Sequence, residues 1–385
     1  MIPSPQSFAT VFGTALAALA AGYTTLAAIA LRRPASPGRV GARQPKREAM
    51  PAVTILKPLC GAEHGLYERL RSFCEQRYPA FQIVFGVRDP GDQALEAVRR
   101  LQHEFPGLDL GIAADSSQHG TNGKVSNLIN MMPLARHHYI VIADSDVQVP
   151  PDYLERVVAP LTDEGVGIVT CPYRGLPRPG LWSLLGSMFV NEWFMPSVRV
   201  AALLGSRAFA FGATIALRRQ SLTRIGGFPA LASQLADDYR LGELTRQLNL
   251  RTVLSELEVE TSVDEARFRD LLQHELRWLR TIRAVRPLGY ALSGITFGLP
   301  VAILGCLLAR GSAGAAALLA ITVGMRLVLD SAPRRERPLL MQLWLLPLAD
   351  VLAFALWCWS FATREVEWRH TRLRLARDGT AEPLP

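Results

Sequence analysis

Long uncharged runs near both ends of the chain constrain its fold more than any other feature of the sequence. Residues 8–31 contain no charged side chain, and a helix of that length can cross a bilayer. A cleaved signal peptide is the alternative, but this run is longer than a signal core and its basic residues follow it. Because cytoplasmic flanks are rich in Lys and Arg, we predict a signal anchor with its N-terminus outside. The basic residues after the run are Arg32, Arg33, Arg39, Arg43, Lys46 and Arg47.

Three further apolar stretches lie in the C-terminal part, at residues 288–309, 312–329 and 339–362. The second contains Arg326, which near a helix end can extend to the bilayer surface. The third contains Asp350 and has basic residues on both sides, so a single crossing would leave one basic cluster outside. We therefore favour a kinked or re-entrant hairpin there, with Asp350 buried in protein or water. The flanking basic residues are Arg334, Arg335, Arg337, Arg364, Arg369, Arg372 and Arg374.

Composition narrows the class of protein. The chain has 385 residues, of which 49% are hydrophobic, and a formal charge of +8. We interpret the positive charge as membrane topology and contact with anionic lipid, because nothing in the sequence resembles a nucleic-acid-binding module. The five cysteines are scattered and form no Cys-x-x-Cys motif, which indicates free thiols in a reducing compartment and no zinc site.

The middle of the chain alternates strand-like and helix-like runs. This alternation predicts an α/β domain over residues 50–285, with a mostly parallel sheet covered by helices. An N-terminal anchor and basic linker would then occupy residues 1–49, and a C-terminal membrane region and basic tail residues 286–385. Ligands of such sheets collect at the carboxyl ends of the strands.

Asp144-Ser145-Asp146 follows the predicted strand at residues 139–143. Two carboxylates two residues apart lie on the same side of the pleat and can share one Mg²⁺ or Mn²⁺ ion, which prefers oxygen ligands. An Asp-rich turn is the alternative for this motif taken alone. We predict that Asp144 and Asp146 bind the metal, because the neighbouring motifs suit the same chemistry.

Three other segments carry candidate donor-binding residues. Asp89 and Asp92 end the second predicted strand, where they could bind uracil or ribose hydroxyls, although turn chemistry alone explains Asp-Pro-Gly-Asp. Lys124 follows a Gly-rich segment that opens a helix, where N–H groups and a lysine could meet a diphosphate; a flexible loop is the alternative. Lys57, at the end of the first strand, is a further candidate.

Two motifs lie further along the chain. Asp237 and Asp238 begin a predicted helix, where acidic residues are often only caps. His274, Arg277 and Trp278 share one face of a later helix, which an interfacial amphipathic helix also explains.

Taken together, these motifs resemble those of the ceramide glucosyltransferases, which are membrane-anchored inverting glycosyltransferases of the GT-A fold. The order of the matching residues is Asp92, then Asp144-Ser145-Asp146, then Asp238, then His274-x-x-Arg277-Trp278. Further matching segments are Leu56-Lys57-Pro58-Leu59, Gly123-Lys124-Val125-Ser126-Asn127-Leu128 and the tail Trp368-Arg369-His370-Thr371-Arg372-Leu373-Arg374-Leu375. The resemblance runs through nearly the whole chain and implies a GT-A catalytic domain, a Rossmann-like nucleotide-diphospho-sugar transferase, with an N-terminal anchor and C-terminal transmembrane helices.

The resemblance also implies a reaction, the transfer of sugar from a UDP-sugar to a hydroxyl of a membrane lipid. Asp238 is the expected base, with Asp237 its nearest rival. Arg277 and the metal would neutralise the departing diphosphate. Trp278 would form an apolar wall near the acceptor, and simple packing is the alternative for this residue. Lys57, Asp89, Asp92, Lys124 and Asp144 would hold the donor.

Two positions depart from the family pattern. His274 stands where the pattern has Gln or Arg, which leaves its role open, and Met195-Pro196 stands where animal enzymes carry His-Pro. The bacterial hopanoid-associated glycosyltransferases form a closely similar branch. Because the Ala- and Arg-rich composition is typical of bacterial proteins, we favour N-acetylglucosamine transfer to a hopanoid polyol, at a bacterial inner membrane with the catalytic domain cytoplasmic. Ceramide glucosylation is the alternative, and a processive polysaccharide synthase is a third reading that needs more membrane helices than this sequence offers.

Overall fold

The computed structural model describes residues 5–32, 50–206, 208–331, 339–368 and 371–384. The predicted basic linker at residues 33–49 lies outside the described residues, as do Arg334, Arg335, Arg337 and Arg369. In chain order, the described strands are β1 (Val53–Pro58), β2 (Phe81–Val87), β3 (Asp109–Ala114), β4 (Tyr139–Ile142), β5 (Val147–Gln148), β6 (Val166–Thr170), β7 (Tyr173–Pro177), β8 (Ile215–Arg218), β9 (Arg251–Leu254), β10 (Val259–Val263), β11 (Glu365–Trp368), β12 (Thr371–Leu375) and β13 (Ala381–Pro383).

The described helices follow the same order. They are α1 (Pro5–Arg32), α2 (Leu66–Cys74), α3 (Ala94–Glu104), α4 (Gly123–Met131), α5 (Tyr153–Val158), α6 (Leu181–Met188), α7 (Met195–Leu203), α8 (Arg219–Arg224), α9 (Asp237–Gln247), α10 (Phe268–Val285), α11 (Pro287–Leu292), α12 (Gly298–Leu308), α13 (Ala313–Ser331) and α14 (Leu339–Ser360). A π-helical segment, Phe189–Phe194, joins α6 to α7.

Contacts group the chain into two compact units. The sheet unit comprises residues 35–176, 206–264 and 373–385, and the helix unit comprises residues 1–34, 177–205 and 265–372. This division differs from the boundaries expected from the sequence. Residues 177–205 and 265–285 group with the apolar helices, and the tail from residue 373 groups with the sheet.

Seven strands of the sheet unit form one sheet in the order β3-β2-β1-β4-β8-β6-β9. The pairs β1–β2, β1–β4, β2–β3 and β6–β9 are parallel, whereas β8 is antiparallel to β4 and β6. Ile55, Ile83 and Ile140 in the central strands are fully buried, as expected for a sheet covered on both faces. The predicted mostly parallel α/β sheet is confirmed, and β8 is its antiparallel strand.

Parallel pairing brings the carboxyl ends of β1, β2 and β4 to one edge of this sheet. Lys57 lies at the end of β1, Asp89 follows β2, and Asp144 follows β4. Successive strand ends therefore carry the charged residues of the predicted donor site, which is the edge where ligands of such sheets bind.

The helix unit contains two helices that are long and apolar enough to cross a membrane, Gln6–Arg32 and Ala313–Asp330, among the residues that the structure describes. The predicted apolar run at 288–309 is not one straight helix. Pro287–Thr296 and Gly298–Leu308 are bent by 74° relative to each other, so the pair is a broken span or a re-entrant loop. The break has a local cause, because the ring of Pro300 would clash with the carbonyl of Thr296 in a continuous helix.

Glycines allow α1 and α12 to pack closely. A Cβ placed on Gly13 would lie 2.5 Å from the carbonyl oxygen of Gly305, so neither residue tolerates a side chain without a shift of the backbone. Small residues at such crossings are typical of helices that associate in a membrane, where close packing replaces the hydrophobic effect.

The last apolar stretch differs from its sequence-based interpretation. It forms one helix, α14, with Pro347 inside it, so the expected hairpin is wrong. Asp350 is nevertheless enclosed by protein, because it pairs with Arg326 of α13. The expectation that Arg326 extends to the bilayer surface is also wrong, since its side chain is only 8% exposed and bonds two carboxylates. Because Arg326 and Asp350 neutralise each other inside the protein, neither side chain needs to reach water.

Candidate active site of the sheet unit

One lysine and three carboxylates meet at the carboxyl edge of the sheet. Lys124 Nζ lies 2.5 Å from Asp144 Oδ1 and 3.7 Å from Asp237 Oδ2. Burial alone would lower the pKa of Lys124. The negative charges of Asp144, Asp237 and Asp238 have the larger effect, so the pKa of Lys124 is raised. The structure therefore brings together residues that the sequence assigns to the donor, the metal and the base.

Gly212 lets the backbone approach this cluster. A Cβ on Gly212 would lie 3.2 Å from Asp144 Oδ2, 3.3 Å from Lys124 Nζ and 3.6 Å from Asp238 Oδ2. The Gly212 N–H donates to Asp238 Oδ2 at 2.9 Å. Sequence reasoning did not find Gly212, because Phe211-Gly212-Ala213 matches no motif and only the tertiary fold brings it to the cluster.

The carboxyl group of Asp238 is less acidic than that of an ordinary aspartate. Burial and the neighbouring Asp237 raise the pKa of Asp238 to about 6, although N–H groups of Tyr239 and Gly212 stabilise its ionised form. A carboxyl group with a pKa near the working pH can accept a proton effectively. The capping interpretation explains only half of these contacts, since Oδ1 accepts from Tyr239 N within α9 whereas Oδ2 reaches Gly212 outside the helix.

Asp237 differs from Asp238 in its partners. Its carboxylate accepts a hydrogen bond from Asn122 Nδ2 at 3.3 Å and faces the Lys124 ammonium. Burial raises the pKa of Asp237, and Lys124 opposes that shift. Asp237 is thus held by a cation and an amide, whereas both partners of Asp238 are backbone N–H groups.

Asp146 lies beside Asp144 and is held by a neighbouring strand. Pairing of β5 with β10 sets Thr261 opposite Val147, and Thr261 Oγ1 donates to Asp146 Oδ2 at 2.8 Å. Burial, Asp144 and Glu63 raise the pKa of Asp146 to about 6. Its Oδ1 has no hydrogen-bond partner among the described residues.

The two carboxylates suit a divalent cation. A cation between them would relieve the repulsion that raises the pKa of Asp146 and would give its second oxygen a partner. Within the described ranges no group of three or more His, Cys, Asp or Glu side chains is placed to hold a metal. An ion held by Asp144 and Asp146 would therefore take its remaining ligands from water or from a bound phosphate.

Lys57 is fully buried next to the loop that carries Asp144 and Asp146. Its Nζ donates to the carbonyl oxygen of Asp144 and lies 3.9 Å from the centre of the Phe73 ring. Burial lowers the pKa of Lys57 to about 7, and Asp146 and Asp144 limit the shift. These contacts make Lys57 a support for the loop that carries the two carboxylates.

Asp89 and Asp92 make turn contacts. Asp89 is exposed, and its Oδ1 accepts from Gly91 N at 2.8 Å. Asp92 uses both oxygens on Gly61 N, at 2.9 and 3.0 Å, and also caps Ala94 N. Asp92 thereby ties the loop after β1 to the loop after β2. The turn interpretation is thus satisfied at both residues, and donor binding by them stays a prediction.

The loop before α4 is braced by two segments that the sequence analysis did not connect with it. Asn122 caps α4 by accepting from Val125 N, and its Nδ2 also donates to Gln234 O at 2.7 Å. Thr121 Oγ1 donates to the carbonyl oxygen of Ala381 in the C-terminal tail at 2.9 Å. The cap could have been predicted from the sequence, because Asn122 directly precedes the start of a helix and Asn is a favoured N-cap residue. No sequence signal announces the contact with a tail about 260 residues away.

His274, Arg277 and Trp278 belong to the helix unit, on α10. His274 Nδ1 pairs with Glu265, and its ring packs edge-on against Trp278 with centroids 5.1 Å apart. Trp278 also meets the ring of Phe194 at 5.9 Å. The predicted shared face of α10 is present, and its aromatic part is packed into the unit.

The sheet has the topology of the GT-A glycosyltransferase fold. In fold the chain is similar to the mannosyltransferase PcManGT from Pyrobaculum calidifontis, solved in complex with GDP-Man and Mn²⁺. The TM-score is 0.55 at 23% identity, and the match covers 91% of this chain and 97% of that one. More narrowly, the chain belongs to glycosyltransferase family 21, whose family model matches residues 12–381.

Curated relatives agree with this family. Ceramide glucosyltransferase 1 of Caenorhabditis elegans is 28% identical over 192 residues, which are 49% of this chain and 41% of that protein. Ceramide glucosyltransferase 3 of the same organism is 23% identical over 243 residues, which are 62% of this chain and 52% of that protein. The chain thus spans about half the length of the curated relatives it matches.

Proposed function

We propose that this glycosyltransferase moves a sugar from a UDP-sugar to a hydroxyl of a membrane lipid, with inversion at the anomeric carbon. The observation that carries the proposal is the cluster of Lys124, Asp144, Asp237 and Asp238 at the carboxyl edge of the sheet. Membership of family 21 and two helices of membrane-spanning length support a lipid acceptor.

Each step has a candidate group in the sheet unit. Asp238 accepts the proton of the attacking hydroxyl, because its pKa of about 6 leaves it ionised yet basic near neutral pH. Lys124 would stabilise the negative charge that grows as the diphosphate departs, because its raised pKa keeps it charged. Asp237 holds Lys124 in place and is the rival base.

Asp144 and Asp146 would hold Mg²⁺ or Mn²⁺. When bound, the ion neutralises the diphosphate and assists its departure. In the helix unit we assign Arg277 to the diphosphate as well, because a guanidinium binds phosphate oxygens in pairs. His274 orients Trp278 through the ring contact.

For the acceptor we propose ceramide, with UDP-glucose as the donor, because the matched curated relatives carry the name ceramide glucosyltransferase. A hopanoid polyol with N-acetylglucosamine, favoured by the sequence analysis, is the competing pair. The two acceptors share a primary or secondary hydroxyl on an apolar body, so the same base serves either.

The test uses the full chain reconstituted in lipid nanodiscs. Four reactions combine UDP-glucose or UDP-N-acetylglucosamine with ceramide or a hopanoid polyol, in Mn²⁺ or in chelator, and products are identified by mass spectrometry. We expect one monoglycosylated lipid, made only with metal. A ladder of polymer products would support a processive synthase instead, and no glycolipid in any reaction would refute the proposal.

Membrane topology is tested separately. We expect the sheet unit to face the cytoplasm, where nucleotide sugars are available. Ser117 is exposed and suits an engineered cysteine, in a background that lacks the exposed Cys60 and Cys358. An impermeant maleimide should label Ser117→Cys only after cells are permeabilised. Labelling of intact cells would contradict both the orientation of α1 and the choice of donor.

A further inference from the structure

The helix unit contains a small, mostly apolar cavity with four charged residues in its wall and no role in the proposed chemistry. The cavity, which lies between α6, α10, α13, α14 and the π-helical segment, has a volume of about 20 Å³, room for one water-sized group such as a hydroxyl. Its wall is mostly apolar, with side chains such as Phe189, Trp193 and Leu271. Four charged residues also line it: Glu192, Glu275, Arg326 and Asp350.

Three of these residues form a closed ion cluster. Arg326 Nη2 lies 2.7 Å from Asp350 Oδ1 and 2.9 Å from Glu192 Oε2, and Arg326 Nε donates to Asp350 Oδ2 at 2.8 Å. The side chains of Arg326 and Glu192 are 8% and 1% exposed. Glu192 reaches the cluster from a π-helical turn, a distortion that is frequent at functional sites. One cation faces two carboxylates, so the cluster does not suit an anionic ligand.

Some buried polar atoms in the cavity wall have no hydrogen-bond partner among the described residues. Glu275 is 3% exposed, and its Oε2 has no hydrogen-bond partner among the described residues. Arg326 Nη1 likewise lacks one within the described ranges. Buried polar atoms without partners cost about 1–3 kcal/mol each, so such groups usually meet water or a ligand. Burial raises the pKa of Glu275 well above its ordinary value, which favours the neutral carboxyl group.

We propose that this cavity binds an uncharged hydrogen-bonding group, a hydroxyl, of the lipid acceptor, with Arg326 and Glu275 as its partners. The identity of the lipid rests on the proposed function. A hydroxyl of this size can accept a hydrogen bond from Arg326 Nη1 or bond Glu275 Oε2, two wall atoms that have capacity for a further bond, and the hydrocarbon chains of the lipid would stay outside the cavity. Glu275 directly follows His274 on α10, so the motif helix contributes to lipid recognition through its buried face.

Photo-cross-linking in nanodiscs tests where the lipid binds without depending on sugar transfer. The probes are a ceramide and a phosphatidylcholine, each with a diazirine close to its polar group. We expect ceramide to label peptides from residues 185–193, 271–275 and 349–356, and excess plain ceramide to prevent this. Phosphatidylcholine should label exposed apolar residues such as Leu307 and Trp344. Absence of ceramide labelling at the cavity, or equal labelling by both probes, would mean water or bulk lipid only and would overturn the inference.

Kinetics of variants provide the second test. Glu275→Leu should raise KM for ceramide about 3- to 10-fold, as expected for one neutral hydrogen bond, and leave KM for the nucleotide sugar unchanged. Glu275→Gln keeps hydrogen bonding and should retain KM within about 3-fold. Arg269→Gln on the same helix is the control, because the Arg269 side chain is 77% exposed.

Ala353→Leu keeps the inference testable if Glu275→Leu does not fold. Ala353 lines the cavity and is 7% exposed, so the larger side chain takes up cavity space without removing any member of the ion cluster. It should abolish ceramide labelling there. Wild-type KM and labelling in both Ala353→Leu and Glu275→Leu would refute the inference while leaving the proposed function intact. Labelling of the cavity without any sugar transfer would refute the proposed function alone.

Discussion

The sheet unit gathers one lysine among three carboxylates, and the helix unit encloses one arginine between two. Side chains of the first cluster are partly open, with Lys124 19% and Asp144 33% exposed. Those of the second are closed, with Arg326 8% and Glu192 1% exposed. Partial exposure lets carboxylates exchange partners with substrate and metal, whereas a closed cluster mainly fixes the helices that carry it. We therefore expect chemistry at the first cluster, whereas the second cluster holds its helices together and leaves Arg326 Nη1 without a hydrogen-bond partner among the described residues.

The largest effect is expected from the base of the sheet unit. Asp238→Asn keeps the size of the side chain but cannot accept a proton, so transfer to lipid should fall by about 10²–10⁴-fold while the donor still binds. Rates of transfer and binding of UDP-sugar are measured on the same preparation. A parallel loss of donor binding would make Asp238 a donor ligand, and a larger transfer defect in Asp237→Asn would exchange the two roles.

The raised pKa of Asp238 also predicts how the rate of transfer depends on pH. Because the pKa of Asp238 is raised to about 6, kcat/KM for the lipid should be level above that pH and fall as the pH drops through about 6. Asp238→Asn should remove this contribution to the profile. An unchanged profile in the variant would assign the titration to another group, such as Asp146.

The closed cluster predicts a loss of stability. Arg326→Leu leaves two buried carboxylates without their cation, which typically costs about 3–5 kcal/mol. A large drop in the apparent Tm of the reconstituted protein should result. Replacing Arg326, Glu192 and Asp350 together by Leu should recover most of it, because apolar substitutes for a buried ion cluster are often tolerated. A single Arg326→Leu variant as stable as Arg269→Leu would contradict the contrast between the two clusters.

The metal ligands are expected to be the next most sensitive. Asp144→Asn should lower metal-dependent turnover by about 10²–10³-fold, since it weakens the site where charge is neutralised. Asp146→Asn should be nearly as damaging if both carboxylates bind the ion. Asp152→Asn is the control, because Asp152 is 48% exposed in a helical ion pair. Full activity of Asp144→Asn in chelator would remove the metal from the mechanism.

The smallest effect concerns Asn122, a positioning residue of the sheet unit. Asn122→Ala removes the cap of α4 and should cost about 1 kcal/mol of stability. It should also lower kcat, because Asn122 bridges Gln234 O and Asp237 beside Lys124. Asn122→Ser can restore the cap but not the amide bonds. Stability should thus recover in Asn122→Ser while kcat stays low, and recovery of both would leave capping as the whole role.

Local features of the sequence predicted much of this molecule. The apolar run at residues 8–31 became α1, and the run ending at Ala143 became β4 followed by its two carboxylates. Strand ends were predictable because parallel strands place equivalent positions at one edge. The interpretation was wrong where a distant partner mattered, as for Arg326, whose carboxylates lie 24 and 134 residues away in sequence.

The sequence by itself determined the chemistry available: which acids follow which strand, and which segments are apolar enough for a membrane. Only the tertiary structure decided how those groups share space, because hydrogen bonds between distant loops depend on how strands and helices cross. Gly212 over Lys124, and Thr261 on Asp146, are such contacts. Periodicity and spacing describe a segment within its own helix or strand. Burial and partners, which set the pKa of Asp238 and the exposure of Arg326, arise only when segments meet.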